Sequence, residues 1–263
     1  MSILDDIFAH KRLEVAAAQQ KKTAASLEAA ITASPTPAGF AAAIKRGSHP
    51  VPRLIAEIKY RSPTKGVLRR NFAPLDLARA YTQNGAAAIS VLTDQKYFGG
   101  SLVILRQVSA LDLELPLLRK DFIFDQYQLL EARAAGASAV LLITAMLPFN
   151  RLRSLLDAAH ALGLEALVET HTAAEVTQAL DAGARIVGVN NRDLHSFEVR
   201  LDTCLQLRSL IPSEVVMVAE SGIRSVADVE KLAAAGVDAM LVGEGLVTAE
   251  DVGARVREFV EWI

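Results

Sequence analysis

Short apolar runs recur along the chain, and six of them end in charged or amide residues. In order they are Ile55-Ala56-Glu57-Ile58-Lys59, Leu117-Leu118-Arg119-Lys120-Asp121, Leu167-Val168-Glu169, Val187-Gly188-Val189-Asn190-Asn191-Arg192, Val216-Met217-Val218-Ala219-Glu220-Ser221-Gly222 and Leu241-Val242-Gly243-Glu244-Gly245. Runs without polar–apolar alternation suit strands buried on both faces, as in a parallel sheet covered by helices. With two further runs they give eight candidate strands, near 53–59, 88–92, 116–120, 139–143, 165–169, 186–190, 215–219 and 239–243. Helical patterns separate them. Breaks at Asn84-Gly85-Ala86, Ala135-Gly136-Ala137, Ala182-Gly183-Ala184 and Ala235-Gly236-Val237 each fit a helix stopped by a left-handed glycine.

Strict alternation of β and α elements predicts a parallel sheet, and eight strands predict closure into a single (β/α)8 TIM barrel. A doubly wound open sheet is the structural alternative. It would gather polar groups at one switch point, whereas here they follow at least six strands. Polar strand ends converging on one mouth read as an enzyme.

Ahead of the barrel, residues 1–33 read as helix, with Ile3, Leu4, Ile7 and Phe8 at helical spacing. Pro35, Pro37 and Gly39 interrupt it, and a short helical piece follows over 40–45. The expected division is an N-terminal helical extension, 1–46, packed on one catalytic barrel domain, 47–263.

Composition narrows the class. Apolar residues form 51% of the 263, enough for a sizeable core. A net charge of −2 and a pI near 6.2 leave no basic footprint for nucleic acid. Cys204 stands alone, so cysteine-based metal clusters and intrachain disulfides are out. The acidic start and the lack of a long apolar run argue against a secretory leader or membrane span, so a cytoplasmic protein is expected.

The strand ends then supply chemistry. Glu57 and Lys59 lie two apart and share one face of the first strand; Lys120, Glu169 and Glu220 end the third, fifth and seventh. Three carboxylates and two ammonium groups would meet in one partly dry pocket, able to anchor an anion, donate a proton or form a Schiff base. Structural ion pairing is the plainer reading of any one of them, but five together favour function. Ser221-Gly222 and Gly243-Glu244-Gly245 each turn toward a helix after the last two strands, the usual phosphate site of a barrel. Asn190, Asn191 and Arg192 suit hydroxyl and carboxylate recognition. The basic loop Arg61–Arg70, which includes Ser62, is long enough to act as a lid, although a solvated basic loop explains it too. Phe98 and Phe122 would line an apolar subsite. The five histidines show no metal-ligand spacing and read as structural or solvated. Trp262 reads as terminal packing.

Taken in order, these strings resemble the indole-3-glycerol phosphate synthase family from about Leu54 to Leu246. The most specific are Ala56-Glu57-Ile58-Lys59 with Ser62-Pro63 and Lys65-Gly66; Ser90-Val91-Leu92-Thr93-Asp94 with Tyr97-Phe98-Gly99-Gly100-Ser101; and Leu118-Arg119-Lys120-Asp121-Phe122-Ile123. Leu167-Val168-Glu169, Gly188-Val189-Asn190-Asn191-Arg192-Asp193-Leu194, Ala219-Glu220-Ser221-Gly222-Ile223 and Val242-Gly243-Glu244 complete the set. Tyr60-Arg61 and Thr64 vary the first loop. Gly245 stands where the family often has a small hydroxyl residue, a change expected to cost one phosphate hydrogen bond.

The resemblance implies ring closure of a carboxyphenylamino-deoxyribulose phosphate with loss of carbon dioxide and water, needing neither cofactor nor metal. It implies that Lys120 is the general acid, that Lys59 holds the substrate carboxylate and can deliver a proton, and that Glu169 handles protons during dehydration, with Glu57 and Asn190 orienting Lys59, Lys120 or substrate hydroxyls. Ser62, Phe98, Phe122, Arg192, Leu194, Glu220 and Ser221 are implied substrate contacts; Ser221, Gly222, Gly243 and Glu244 are implied phosphate contacts. The N-terminal apolar residues are expected near the barrel mouth. The phosphosugar substrate is the expected partner, with the chain a monomer or at most a weak homodimer. Another phosphosugar enzyme, such as an isomerase or a Schiff-base lyase, and a non-catalytic phosphate-binding barrel are the alternatives. Borohydride trapping separates the lyase, and missing inward lysines and glutamates would mark the scaffold.

Overall fold

Eight parallel strands pair in chain order until the last meets the first. In the computed structural model, which describes residues 3–193 and 198–261, they are β1 (Arg53–Ile58), β2 (Ala88–Leu92), β3 (Leu117–Lys120), β4 (Ala139–Ile143), β5 (Glu165–Thr170), β6 (Ile186–Asn190), β7 (Val216–Glu220) and β8 (Ala239–Val242). β8 closes on β1 in a register running from Arg53↔Ala239 to Ala56↔Val242. The barrel and all eight strands follow the sequence expectation, within two residues at each end. Leu194, His195 and Trp262 lie outside the described residues, as does the side chain of Ile3.

Alternation along each strand divides the core in two. Ile55, Leu118, Leu141, Leu167, Val218 and Leu241 fill the barrel interior. Their neighbours, among them Leu54, Ala56, Leu142, Val168 and Met217, pack outward beneath the helices. Three helices precede the barrel: α1 (Ile3–Lys21), α2 (Ala24–Thr32) and α3 (Phe40–Ile44). The others are α4 (Pro74–Gln83), α5 (Leu102–Ser109), α6 (Gln126–Ala134), α7 (Phe149–Ala161), α8 (Ala173–Asp181), α9 (Asp202–Leu207), α10 (Val226–Ala234), α11 (Glu244–Val247) and α12 (Val252–Val260). Side-chain caps start many of them: Asp125 and Ser225 build reciprocal capping boxes with Gln128 and Asp228. The four predicted glycine stops all adopt left-handed backbone, with φ between 76° and 93°.

Residues 1–33 form two helices rather than the single one expected. Thr23 is the cause: it leaves the helical region, and its hydroxyl accepts the N–H of Ser26 as the N-cap of α2. α1 and α3 then cover opposite ends of the barrel, while α2 packs against α6. At the mouth, Leu4 and Ile7 of α1 line the cavity described below, and Phe8 meets Phe124 edge-on at 5.1 Å. At the opposite end, Phe40 and Ile44 of α3, both fully buried, join the inward-facing core. Backbone donors fix α3 there: Ala41 N–H to Glu165 Oε2 at 2.8 Å, and Arg46 N–H to Asp238 Oδ1 at 3.3 Å.

The docking of α1 centres on Lys11, whose side chain is only 1% exposed. Its ammonium pairs with Asp94 Oδ2 and Asp121 Oδ1, each at 2.9 Å, and with Glu14 at 3.0 Å. Burial alone would neutralise this lysine, but Asp121 and Asp94 outweigh that cost and hold it charged. Asp121 is also buried, and Arg119 with Lys11 more than offsets the burial, holding its carboxyl at about 2.

Replacing Lys11 with Ala should therefore cost about 3 kcal/mol of stability, because two buried carboxylates lose a counter-charge. Since Asp121 is depressed in the folded state, its pairing stabilises at neutral pH and fades as pH falls from about 4 toward 2. The gap in denaturation midpoint between native protein and Lys11→Ala should narrow over that same range. A gap independent of pH would assign Lys11 to packing alone.

Candidate active site

The C-terminal ends of the strands surround a cavity of about 690 Å³. The strand pleat decides which polar side chains enter it. Lys120 points in, whereas its neighbour Arg119 points out beneath α6 and binds Thr93, Asp121, Glu131 and the Gln128 carbonyl. Glu57 is buried near the top of β1; β1 stops at Ile58, so Lys59 is the first residue beyond it. Its ammonium still folds back to Glu57 Oε1, at 2.6 Å. Glu57 is further framed by Tyr81, whose hydroxyl donates to the Glu57 carbonyl.

Lys120 forms the second charged centre. Its Nζ lies 2.6 Å from Glu220 Oε2 and 3.6 Å from Glu169 Oε2. Asn190 Nδ2 donates to Glu169 Oε1 at 3.1 Å, and the Asn190 Oδ1 accepts the Arg192 N–H. Burial would push the lysine toward its neutral form, yet Glu220, Glu169 and Glu57 reverse this and raise its pKa. The two carboxylates facing Lys120 diverge. Burial, with Glu169 nearby, raises Glu220 despite Lys120; for Glu169, Lys120, His171 and Asn190 overcome burial and lower it. One site thus holds a carboxyl disposed to keep a proton beside one disposed to stay ionised.

Two glycines make room for these carboxylates. A Cβ at Gly188 would stand 2.3 Å from Glu220 Oε1, and one at Gly243 only 2.1 Å from Glu57 Oε1 and 3.0 Å from Lys59 Nζ. The turns after β7 and β8 differ in shape. Ser221 and Gly222 both take positive φ, 64° and 81°, so the backbone turns sharply at the rim. Gly243 instead leads directly into the short helix α11.

The structure brings Ser62, Phe98, Phe122, Arg192, Ser221, Gly222, Gly243 and Glu244 to the same cavity wall as Glu57, Lys59, Lys120, Glu169, Asn190 and Glu220. The rings of Phe98 and Phe122 lie 6.1 Å apart. Leu194 falls outside the described residues. Asn191 does not join the site: its amide donates to the carbonyls of Glu220 and Ser221 and accepts from Cys204 N–H, fixing the β6–β7 rim instead. The basic loop contains a small antiparallel hairpin, Arg61–Ser62 against Gly66–Val67. From it Lys65 pairs with Glu244 across the mouth, while Arg69 donates to the carbonyls of Val247 and Ala249.

Sequence reasoning missed Arg224 and Arg255, which line the cavity beside the glycine turns. Arg255 comes from α12, too far along the chain for any strand-end rule to reach. It also read His171 as structural, yet the ring sits against Glu169. Among the described residues, no group of three or more His, Cys, Asp or Glu side chains is arranged to hold a metal ion.

A family profile described as indole-3-glycerol phosphate synthase matches residues 4–259. The chain is 51% identical to the indole-3-glycerol phosphate synthase of Roseiflexus castenholzii, over 98% of its own length and 97% of that relative's. It is 48% identical to that of Chlorobium chlorochromatii, covering 94% and 95%. Solved structures share the fold at low identity. Thiamine phosphate pyrophosphorylase from Pyrococcus furiosus aligns with TM-score 0.61 at 17% identity, over 80% of this chain and 94% of that one. KGPDC from Streptococcus mutans aligns with TM-score 0.60 at 15%, over 80% and 96%.

The tight fit at Gly243 yields a sharp contrast between neighbouring glycines. Gly243→Ala should lower kcat/KM on the order of 10²-fold, because the new methyl displaces Glu57 and Lys59. Gly245→Ala, whose Cβ would make only ordinary contacts with Val242 at 3.7 Å and the Ile223 carbonyl at 3.9 Å, should stay within about twofold. Steady-state kinetics on both variants check this, and equal losses would contradict the crowding at Gly243.

Proposed function

The chain belongs to the indole-3-glycerol phosphate synthase family, and from that premise we propose how its barrel mouth divides the chemistry. It is a carboxy-lyase of tryptophan biosynthesis, closing 1-(2-carboxyphenylamino)-1-deoxyribulose 5-phosphate to indole-3-glycerol phosphate with loss of carbon dioxide and water. The observation that carries the proposed roles is Lys120 wedged between Glu220 and Glu169, with the Lys59–Glu57 pair beside it.

In this reading the substrate phosphate binds at the Ser221-Gly222 and Gly243-Glu244 turns, aided by the nearby Arg224 and Arg255. Lys65 opposes the Glu244 carboxylate, which would otherwise repel an anion there. Phe98 and Phe122, with Leu4 and Ile7 from α1, receive the aromatic ring. The remaining implied polar contacts, Ser62 and Arg192, serve substrate hydroxyls and carboxylate.

The ring carbon that bears the carboxylate attacks the ketone carbon, and the carbonyl π electrons move to oxygen. Lys120 donates a proton to that oxygen, a step favoured once the oxygen carries negative charge beside the ammonium. Lys59 holds the substrate carboxylate, and loss of carbon dioxide returns an electron pair to restore the aromatic ring. The new hydroxyl leaves as water after protonation, with Lys59 a suitable donor, while Glu169 takes the proton from the adjacent carbon. Glu57 orients Lys59, and Asn190 orients Glu169. Residues 1–46 act as an extension of the single catalytic domain, and the cytoplasm is the proposed compartment.

Incubation with the carboxyphenylamino-deoxyribulose phosphate should yield indole fluorescence. Lys120→Ala should lower kcat at least about 10²-fold, the lower end for loss of a general acid. Glu169→Gln keeps the shape but cannot exchange a proton, so in a single turnover it alone should release carbon dioxide ahead of indole. Near-native turnover in both variants would reduce these residues to structural ion pairs.

A further inference from the structure

One buried titratable group touches the site without facing the cavity. His171 follows the end of β5, two residues after Glu169, and its side chain is 10% exposed. We propose that His171, aimed by Glu175, is a positioning residue that keeps Glu169 ionised and ready to accept the proton lost during dehydration. The inference rests on the role given to Glu169 above.

The geometry starts at Glu175 in the first turn of α8. Its Oε2 accepts the backbone N–H of His171 at 2.7 Å and lies 3.1 Å from His171 Nδ1. A carboxylate so placed keeps the proton on Nδ1. The Thr144 hydroxyl ties Glu175 to the Glu169 main chain: it donates to the Glu169 carbonyl at 2.8 Å and stands 3.0 Å from Glu175 Oε2. With Nδ1 committed, the opposite ring nitrogen is the one closest to Glu169. Nε2 is buried, makes no hydrogen bond among the described residues, and lies 3.4 Å from Glu169 Oε1.

A neutral ring protonated on Nδ1 would turn a lone pair toward the Glu169 carboxylate, which is repulsive. The imidazolium turns an N–H there instead. Burial alone favours the neutral ring, but Glu169 and Glu175 outweigh it and push the His171 pKa up to about 10. The other groups facing Glu169 are Lys120 from β3, Asn190 from β6 and, across Lys120, Glu220 from β7. Lys120 is shared with Glu220, so its charge is not available to Glu169 alone. His171 supplies a second cation on the side away from the cavity, one that substrate does not displace.

The test is the pH dependence of single-turnover indole formation in His171→Gln, which keeps an N–H donor but loses the charge. Without that cation Glu169 binds its proton more tightly, so the acid limb should move to higher pH by about one unit. KM should stay within about twofold, because the ring does not line the cavity. Glu175→Gln should shift the limb in the same direction by less, and it decides the matter if the histidine variant folds poorly. A lower rate at every pH with the limb in place would make His171 structural and overturn the proposal. Glu169→Gln separates the two levels. If it abolishes indole formation while neither variant moves the limb, only this inference falls; if it turns over normally, the assigned role of Glu169 falls with it.

Discussion

The architecture of the mouth depends on compensating buried charge. Glu57, Glu169 and Glu220 are each at most 4% exposed, yet all three converge within one barrel end. A carboxylate buried without a counter-charge is strongly disfavoured. Lys59 and Lys120 supply two counter-charges, and the imidazolium of His171 supplies the third. The balance is local as well as total, since each cation lies within 4 Å of its carboxylate. Glycines at positions 188 and 243 follow from this constraint, because the carboxylates occupy the space a side chain would need. A substrate carrying phosphate and carboxylate enters a site whose own acids are already satisfied.

The same logic operates one layer outward. Lys11 does for Asp94 and Asp121 what Lys120 does for Glu220 and Glu169, but its role is to attach a helix. The two networks meet at the end of β3, where Lys120 faces the cavity, Arg119 faces the outer shell, and Asp121, at the cavity rim, pairs with Lys11. Chemistry and docking are thereby separated by one step of the strand pleat. A disturbance of α1 can reach the mouth through Asp121, whose neighbour Phe122 lines the aromatic subsite.

Much of this was legible from the chain because a barrel strand has a simple grammar. An unbroken apolar run marks a strand, and its terminal polar residue marks the mouth, so Glu57, Lys120, Glu169 and Glu220 were found by position alone. Groups placed by tertiary contact were not. Lys11 looks like any exposed helical lysine until Asp94 and Asp121 arrive from more than 80 residues away. Asn191 looks like a partner of Asn190, but the pleat sends the two side chains in opposite directions. His171 carries a weak local sign, a carboxylate two residues before and another four after, which has meaning only once both are known to be buried. Thr23 has the side chain of a cap, but inside an alanine-rich stretch nothing in the local pattern marks it as a stop.

The seal at the bottom of the barrel has a consequence for biosynthesis. Arg46 donates its backbone N–H to Asp238, so a segment made before the barrel waits for nearly the last strand. At about 5–20 residues per second, the intervening 192 positions take roughly 10–40 s to be made. Throughout that interval Phe40 and Ile44 have no finished barrel to enter, and they are among the most apolar parts of the leader. The segment that closes the native structure is therefore also its longest-lived exposed surface during translation, the stretch on which a chaperone would find the nascent chain.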